Sequence, residues 1–317
     1  MKKHLVLLLL LSLLLLTSCE LFTEEPAKGK VNYVVIGLDY KNDNSSSDDL
    51  KGTLNDAKEM STTLDALITK TDRPKGTAYL MIQEGSDIAT SDPLYPSITN
   101  VETKLAELKD SAADNDLTIF FYSGHGEENT GKLVLATTDG LLHGEDRMAP
   151  LTLLSLMNDI PGKKLLLLDS CYSGQFVGES ASSESTVYSD YDFYAKYFSD
   201  ESYGLSNLYV LSASANNTVS WELFPDDTTN DHHHGVFTYA LLEGLGLVHT
   251  YGTTDDSSVT LLSFSPTIPA AKDSAVTVDS LYAYVIDNQT LSSNSYSYYH
   301  QHPMTNGGAM DMVLFNY

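Results

Sequence analysis

Short apolar runs alternate with amphipathic stretches through the first half of the chain, and this alternation limits the fold more than any other feature. Residues 31–39, 77–83, 117–122 and 163–169 are apolar or rich in β-branched residues, which predicts buried strands. The stretches between them carry apolar residues at helical spacing. A strand–helix order of this kind predicts an α/β protein with a largely parallel sheet covered on both faces.

The same patterns divide the rest of the chain into further elements. Helices are predicted at 48–67, after Pro96-Ser97, at 151–157, 236–245 and 278–286, and strands at 208–213 and 310–315. The segments 179–202 and 250–274 are predicted to be irregular, the first as a long exposed loop.

Composition restricts the class of partner. With 317 residues and a formal net charge of −25, the chain can bury a large core but lacks the basic surface that nucleic acids require. An acidic field attracts cationic substrates or calcium, although an acidic surface that serves solubility explains most of these carboxylates equally well.

The N-terminus has the pattern of a targeting segment. Lys2 and Lys3 precede an apolar run at 5–16 that is too short to span a bilayer as a helix. A small residue then precedes Cys19, which resembles a bacterial lipobox. We expect residues 1–18 to be a lipoprotein signal peptide, Cys19 to carry the lipid and 19–30 to form a polar tether, which anchors the chain outside the cytoplasm of a bacterium. Ordinary secretion is the alternative.

A second cysteine, Cys171, directly follows the predicted strand 163–169, and His125 follows the strand 117–122. Parallel strands bring their carboxyl ends to one sheet edge, where ligands gather. If Cys19 is lipidated, Cys171 has no disulfide partner, so it is either buried and inert or used for chemistry. A thiolate nucleophile needs a nearby base, and His125 can serve as that base. It also needs donors for an oxyanion, which the N–H groups of Gly126 and Cys171 can supply.

These motifs resemble those of the caspase-like cysteine peptidases, and among them the metacaspase branch. The resemblance lies in YVVIGLDY at 33–40, LNDA at 54–57, YSGHG at 122–126, DSCYSG at 169–174, LSAS at 211–214, SWE at 220–222, GVFT at 235–238 and QHP at 301–303. It implies a three-layer α/β/α sandwich over 31–317 with about six strands, in which 31–178 is large-subunit-like, 179–206 a loop and 207–317 small-subunit-like. It also implies a dyad of His125 as acid and base and Cys171 as nucleophile, with the oxyanion site at Gly126.

The resemblance also implies a substrate preference. Carboxylates at the positions of Asp39 and Asp169 line a pocket for Arg or Lys in metacaspases, and Ser212, Trp221 and Glu222 are expected to contribute to the substrate cleft. We therefore expect cleavage after basic residues. In the alternative, Asp169 only holds the local backbone. A non-catalytic surface module with the same fold and a thiol transpeptidase are the competing functions.

No metal site or required cofactor is predicted. Calcium activation stays open, since the runs 43–49 and 226–231 are rich in acidic residues, but neither has EF-hand spacing and both suit exposed loops. His232, His233 and His234 are expected to lie in a solvated loop, because adjacent histidines rarely all bind one ion. Lys196 is a weak candidate for self-cleavage within the long loop.

Overall fold

The structure is a computed structural model that describes residues 28–43, 49–71, 73–177, 207–223, 232–254, 257–289, 301–306 and 312–316. The signal peptide, Cys19, most of the tether, Lys196 with its loop and the acidic run 226–231 lie outside the described residues, as does most of 43–49. Of the helices that are described, none is both long and apolar enough to cross a membrane.

Five α-helices and fourteen strands make up the described part of the chain. The helices are α1 Thr53–Lys70, α2 Ile98–Ser111, α3 Pro150–Asn158, α4 Val236–Gly244 and α5 Val278–Asn288. The strands are β1 Val31–Leu38, β2 Lys75–Gln83, β3 Leu117–Ser123, β4 Leu133–Val134, β5 Arg147–Met148, β6 Lys163–Asp169, β7 Leu208–Ser212, β8 Glu222–Leu223, β9 His234–Gly235, β10 Leu247–Thr254, β11 Ser257–Phe264, β12 Ala275–Thr277, β13 Met304–Thr305 and β14 Val313–Asn316.

A six-stranded sheet in the order β13-β7-β6-β3-β1-β2 forms the centre of the protein. Every neighbouring pair is parallel except β13 with β7. The carboxyl ends of β3 and β6 are in register, with Ser123 opposite Asp169. The segments that follow these two strands therefore start side by side at one edge of the sheet.

The core lies on both faces of this sheet. Successive strand residues point to opposite faces, so Tyr33 and Val35 pack with α1, α4 and α5, whereas Val34 and Ile36 pack with α2 and α3. The result is a helix–sheet–helix sandwich, and the predicted α/β fold with a mostly parallel sheet of about six strands is confirmed.

One predicted segment is wrong. Residues 250–274 were expected to be irregular, but β10 and β11 form an antiparallel hairpin that pairs Leu247 with Phe264 and Thr254 with Ser257. The run is rich in Thr, Ser and Asp, so a prediction based on apolar content does not detect its strands. Thr fits a pleated strand well, and pairing with a neighbour supplies the stability that apolar burial does not.

Candidate active site

A cleft opens at the sheet edge where β3 and β6 end. Its lining consists of Leu50, Thr53, Asp56, Ser123, Gly124, His125, Asp169, Cys171, Ser220, Trp221, Glu222 and Gly235. The predicted base and the predicted nucleophile thus lie in one cleft, together with Asp169, Trp221 and Glu222. No lysine or arginine is among the described residues that line it.

His125 is held by a pair of buried tyrosines that the sequence did not single out. The ring of Tyr40 lies 4.5 Å from the His125 ring, centroid to centroid, and its hydroxyl accepts the backbone N–H of His125 at 2.8 Å. The Tyr122 hydroxyl donates to the His125 carbonyl at 2.8 Å. A side chain at Gly124 would put a Cβ 2.5 Å from the Tyr40 hydroxyl, so the pair requires a glycine there.

Cys171 carries its thiol in a half-buried position. Its Sγ–H donates weakly to the carbonyl of Ser220 at 3.8 Å, and burial raises the pKa of the thiol. Gly126 lies against the same residue, since a Cβ there would stand 1.8 Å from the Cys171 carbonyl oxygen. The backbone of the His125 segment therefore approaches Cys171 as closely as only a glycine allows.

Asp169 forms one acidic wall of the cleft. It is almost fully buried, and its Oδ2 accepts the backbone N–H of Thr238 at 3.0 Å and the Thr238 hydroxyl at 2.7 Å. Burial, together with the nearby negative charge of Asp56, raises the pKa of Asp169 to about 7. Asp169 therefore holds local backbone, as the alternative expected. It also lines the cleft.

Asp56, which sequence reasoning did not select, forms the other acidic wall. Ser123 donates to its Oδ2 at 2.7 Å, His234 Nδ1 lies 2.8 Å from its Oδ1, and the N–H of Gly235 reaches both oxygens. Burial raises the pKa of this carboxyl well above its ordinary value. A signal was present in the sequence, because Asp56 belongs to the LNDA motif that carried part of the resemblance.

Asp39 is not brought to the cleft. Its Oδ1 accepts from Gln83 Nε2 at 2.9 Å, its Oδ2 accepts from the Gly85 N–H at 2.9 Å, and Lys41 Nζ lies 3.1 Å from Oδ2. Asp39 follows β1, whereas Asp56 in the first turn of α1 bonds to Ser123 at the end of β3 and lines the cleft. The expected pair of Asp39 and Asp169 is thus replaced in the cleft by Asp56 and Asp169.

Of the three remaining residues that were expected in the cleft, two line it and one does not. Ser212 is fully buried, donates to the carbonyl of Ser214 at 3.2 Å and is absent from the cleft lining. Trp221 and Glu222 do line the cleft. Glu222 also accepts the backbone N–H of Gly52 at 2.6 Å, so it secures the start of α1 and hence the position of Asp56.

Behind the acidic wall lies a group that we call the His–Glu cluster: Glu59, His232, His234 and His249. The expectation of a solvated histidine loop is wrong, since His233 is 4% and His234 0% exposed. Burial alone would raise the pKa of Glu59, but hydrogen bonds from His232 and His249 lower it to about 2. Among the residues that the structure describes, these four could hold a metal ion.

Comparison with known proteins assigns the chain to a family. The family model of the caspase domain (Peptidase_C14) matches residues 33–265. The chain belongs to the caspase family. A caspase domain is a peptidase domain, which implies peptide or protein substrates for this member. No curated protein matches the chain. A crystal structure of protein GSU0716 from Geobacter sulfurreducens is 15% identical, covers 75% of this chain and 95% of its own, and superposes with a TM-score of 0.41.

Proposed function

We propose that this caspase-family protein is a cysteine endopeptidase that cleaves peptide bonds after Arg or Lys. The observation that carries the proposal is the convergence of Asp56 and Asp169 in the cleft that also contains His125 and Cys171.

The chemistry follows from the placement of the two catalytic residues. His125 takes the thiol proton of Cys171, and the sulfur attacks the carbonyl carbon of the scissile bond. The Gly126–Leu133 bridge uses hydrogen bonds from Glu127 to Lys132 and from Val134 to His125, so it does not consume the N–H of Gly126. That N–H, with the N–H of Cys171, can donate to the oxyanion.

The intermediate then collapses in two steps. His125 returns its proton to the leaving amine, the C–N bond breaks, and a thioester between Cys171 and the substrate acyl group remains. Water, deprotonated by His125, attacks the thioester, the C–S bond breaks and the thiol is restored. If an amine replaced water the product would be a transpeptidation product, and adding an amine acceptor to the assay separates these outcomes.

Charge decides the preferred substrate. Two buried carboxylates face a cleft in which none of the described lining residues is cationic; burial raises the pKa of both, and the negative charge of Asp56 raises that of Asp169 further. A guanidinium or ammonium group that enters the cleft compensates both charges. A guanidinium gains more, since its planar donors can engage carboxylate oxygens in pairs. An acidic side chain would add a further negative charge to a cleft already lined by Asp56, Asp169 and Glu222, and is therefore disfavoured.

Localisation is part of the same proposal. We propose that residues 1–18 are removed as a signal peptide, that Cys19 is lipidated, and that the peptidase acts from a bacterial membrane surface outside the cytoplasm. Its partners are then peptides or proteins with basic residues and the membrane that holds the lipid. Metabolic labelling with a fatty-acid probe tests the anchor: the label should be lost in Cys19→Ala and kept in Cys171→Ala.

Digestion of an unfolded protein substrate tests the activity. Mass spectrometry of the products should show new C-termini at Arg and Lys, and Cys171→Ala should abolish them. Products that end in Asp would contradict the specificity. An inert wild-type protein with an intact fold would favour the competing function, a non-catalytic surface module.

A further inference from the structure

The His–Glu cluster brings donors from three parts of the chain to one point. Glu59 lies on α1, His232 and His234 lie just before α4, and His249 lies on β10. One donor atom from each of the four side chains lies within 4.8 Å of the other three. Neither the dyad chemistry nor the acidic walls of the cleft use Glu59, His232 or His249.

We propose that the His–Glu cluster binds a divalent transition-metal ion, with Zn²⁺ as the ion that suits it best. Imidazole nitrogen and carboxylate oxygen are both common Zn²⁺ ligands, and three nitrogens with one oxygen complete a four-coordinate set. Calcium is disfavoured because it takes six or more oxygen ligands. The proposal goes beyond the peptidase function and does not depend on it.

The distances fit one shared centre. In a tetrahedral site with metal–ligand bonds of about 2.0–2.2 Å, the ligand atoms stand roughly 3.3–3.6 Å apart. His232 Nε2 lies 2.6 Å from Glu59 Oε1, while His249 Nε2 and His234 Nε2 lie 2.7 Å and 3.5 Å from Glu59 Oε2. Side-chain shifts of less than about 1 Å would place the four donors around a metal.

His234 supplies the second observation. Its Nδ1 faces Asp56 Oδ1 at 2.8 Å, and in the tautomer in which Nδ1–H donates to this carboxylate, Nε2 carries a lone pair. That Nε2 is buried and has no hydrogen-bond partner among the described residues. It faces Glu59 Oε2 at 3.5 Å, which sets two electron-rich atoms against each other. A cation between them would be attracted by both.

The backbone before α4 directs two of the histidines to the same side. Alternate residues of an extended segment face the same side, so His232 and His234 turn together towards Glu59. His233 lies between these two residues in the chain and is also buried. Its carbonyl accepts from Asn55 Nδ2 at 3.1 Å. The ring of His234 lies 4.9 Å from that of His232 and 5.0 Å from that of His249, centroid to centroid.

The His–Glu cluster is accessible from solvent, and neighbouring side chains restrain two of its histidines. The side chain of His232 is 20% exposed, whereas Glu59 is 6% and His234 0% exposed, so His232 lies on the solvent side, where an ion would enter. Tyr239 stacks on His249 at 5.0 Å, which restrains that ring. Asp56 restrains His234 from behind, as carboxylates commonly do for metal-bound histidines.

The proposed ion would fix the acidic wall of the cleft. Asp56 both lines the cleft and orients the buried ligand His234. The next residue, Gly235, packs so tightly that a Cβ there would stand 2.1 Å from Asp169 Oδ2. A metal that joins α1 to the segment before α4 therefore holds both cleft carboxylates in place.

Zinc titration of the intact chain tests the site. After removal of metals with EDTA, the protein is titrated with Zn²⁺ alone against a chromogenic chelator, and bound metal is counted by mass spectrometry. We expect one Zn²⁺ per chain and at least a 100-fold weaker affinity in His232→Ala and in Glu59→Gln. The exposed residue His143, which pairs with Asp139 elsewhere on the surface, supplies the matched control His143→Ala, which should bind as the wild type does.

Two further measurements separate this site from incidental zinc binding. Asp56→Asn, which removes no ligand, should weaken Zn²⁺ about 10- to 100-fold. Co²⁺ in the wild type should give the intense visible absorption of a four-coordinate site. The comparison uses His232→Ala as the most exposed ligand, with its metal-free fold checked by circular dichroism. Absence of Zn²⁺ binding by the folded wild type, or equal affinity in wild type and His232→Ala, would overturn the proposal.

Discussion

Nδ1 of His234 is hydrogen-bonded to Oδ1 of Asp56 at 2.8 Å, with both side chains 0% exposed. This bond joins the wall of the catalytic cleft to the His–Glu cluster behind it. Asp56 therefore borders two regions, the cleft in which we propose that the substrate binds and the histidine behind it.

Replacing Asp56 tests which carboxylate receives the substrate. Asp56→Asn keeps the shape of the wall but removes its charge, so we expect kcat/KM for an Arg peptide to fall by about 100-fold, the order of 3 kcal/mol for a lost charged hydrogen bond. Hydrolysis of a Leu peptide should change much less. Asp39→Asn is the matched control, because Asp39 is equally buried yet outside the cleft. If Asp39→Asn lost the Arg preference and Asp56→Asn kept it, the assignment would be reversed.

The raised pKa of Asp169 predicts how specificity depends on pH. Its pKa of about 7 in the open cleft means that the carboxyl is neutral below that pH and attracts cations less. The ratio of kcat/KM for Arg and Leu peptides should therefore rise between pH 6 and 8, and groups that act on both substrates cancel in this ratio. Asp169→Asn should show a lower ratio and a smaller rise over this pH range. A pH-independent ratio in the wild type would argue against an ionised Asp169 in substrate binding.

The same pKa predicts an effect on stability with a defined sign. Asp169 has a higher pKa folded than its ordinary value of 3.8, so the folded chain holds this proton more tightly than the unfolded chain. The contribution is fully present below pH 3.8 and is lost as pH rises through about 7. Asp169→Asn avoids that loss. Its thermal midpoint, compared with that of the wild type, should therefore be more favourable at pH 8 than at pH 5.

The buried thiol predicts slow reaction with small reagents. Burial raises the pKa of Cys171, and the thiolate is the reactive form, so alkylation by iodoacetamide at pH 7 should be slower than that of a free cysteine. A chloromethyl ketone with an Arg side chain should react much faster, because binding places its electrophile beside Cys171 and His125. Rapid alkylation by iodoacetamide at neutral pH would show instead that the thiol is activated without substrate.

Removing the proposed metal should weaken substrate binding more than it slows the chemical step. EDTA treatment is expected to raise KM for the Arg peptide several-fold, because Asp56 loses the restraint that His234 provides. The value of kcat should change less, since His125 is held by Tyr40 and Tyr122 instead. Added Zn²⁺ should restore KM in the wild type but not in Glu59→Gln. An unchanged KM in a protein shown to bind Zn²⁺ would separate the metal from the cleft.

Much of this architecture could be predicted because it is local. The apolar runs that became β1, β3 and β6 and the residues after them placed His125 and Cys171 at one sheet edge. The second acidic wall was missed for a physical reason: Asp39 and Asp56 both approach that edge, and only packing decides which of them enters the cleft. Hydrogen bonds from Gln83 and Gly85 turn Asp39 away.

The His–Glu cluster was missed because its members are far apart in the chain. Adjacent histidines suggested an exposed loop, and nothing in the local sequence indicated that Glu59 of α1 would meet His249 of a hairpin. The sequence pattern also predicts an irregular segment where the structure has that hairpin. Contacts between such distant segments depend on the tertiary fold, which local patterns do not encode.

Paired peptides that differ only in charge test the central claim most directly. A fluorogenic peptide with Arg before the scissile bond is compared with one carrying citrulline, which has nearly the same shape but no charge. If Asp56 and Asp169 select the substrate, kcat/KM should favour Arg by at least about 100-fold, and Cys171→Ala should cleave neither. Equal rates for Arg and citrulline, or faster cleavage after Asp, would contradict the account.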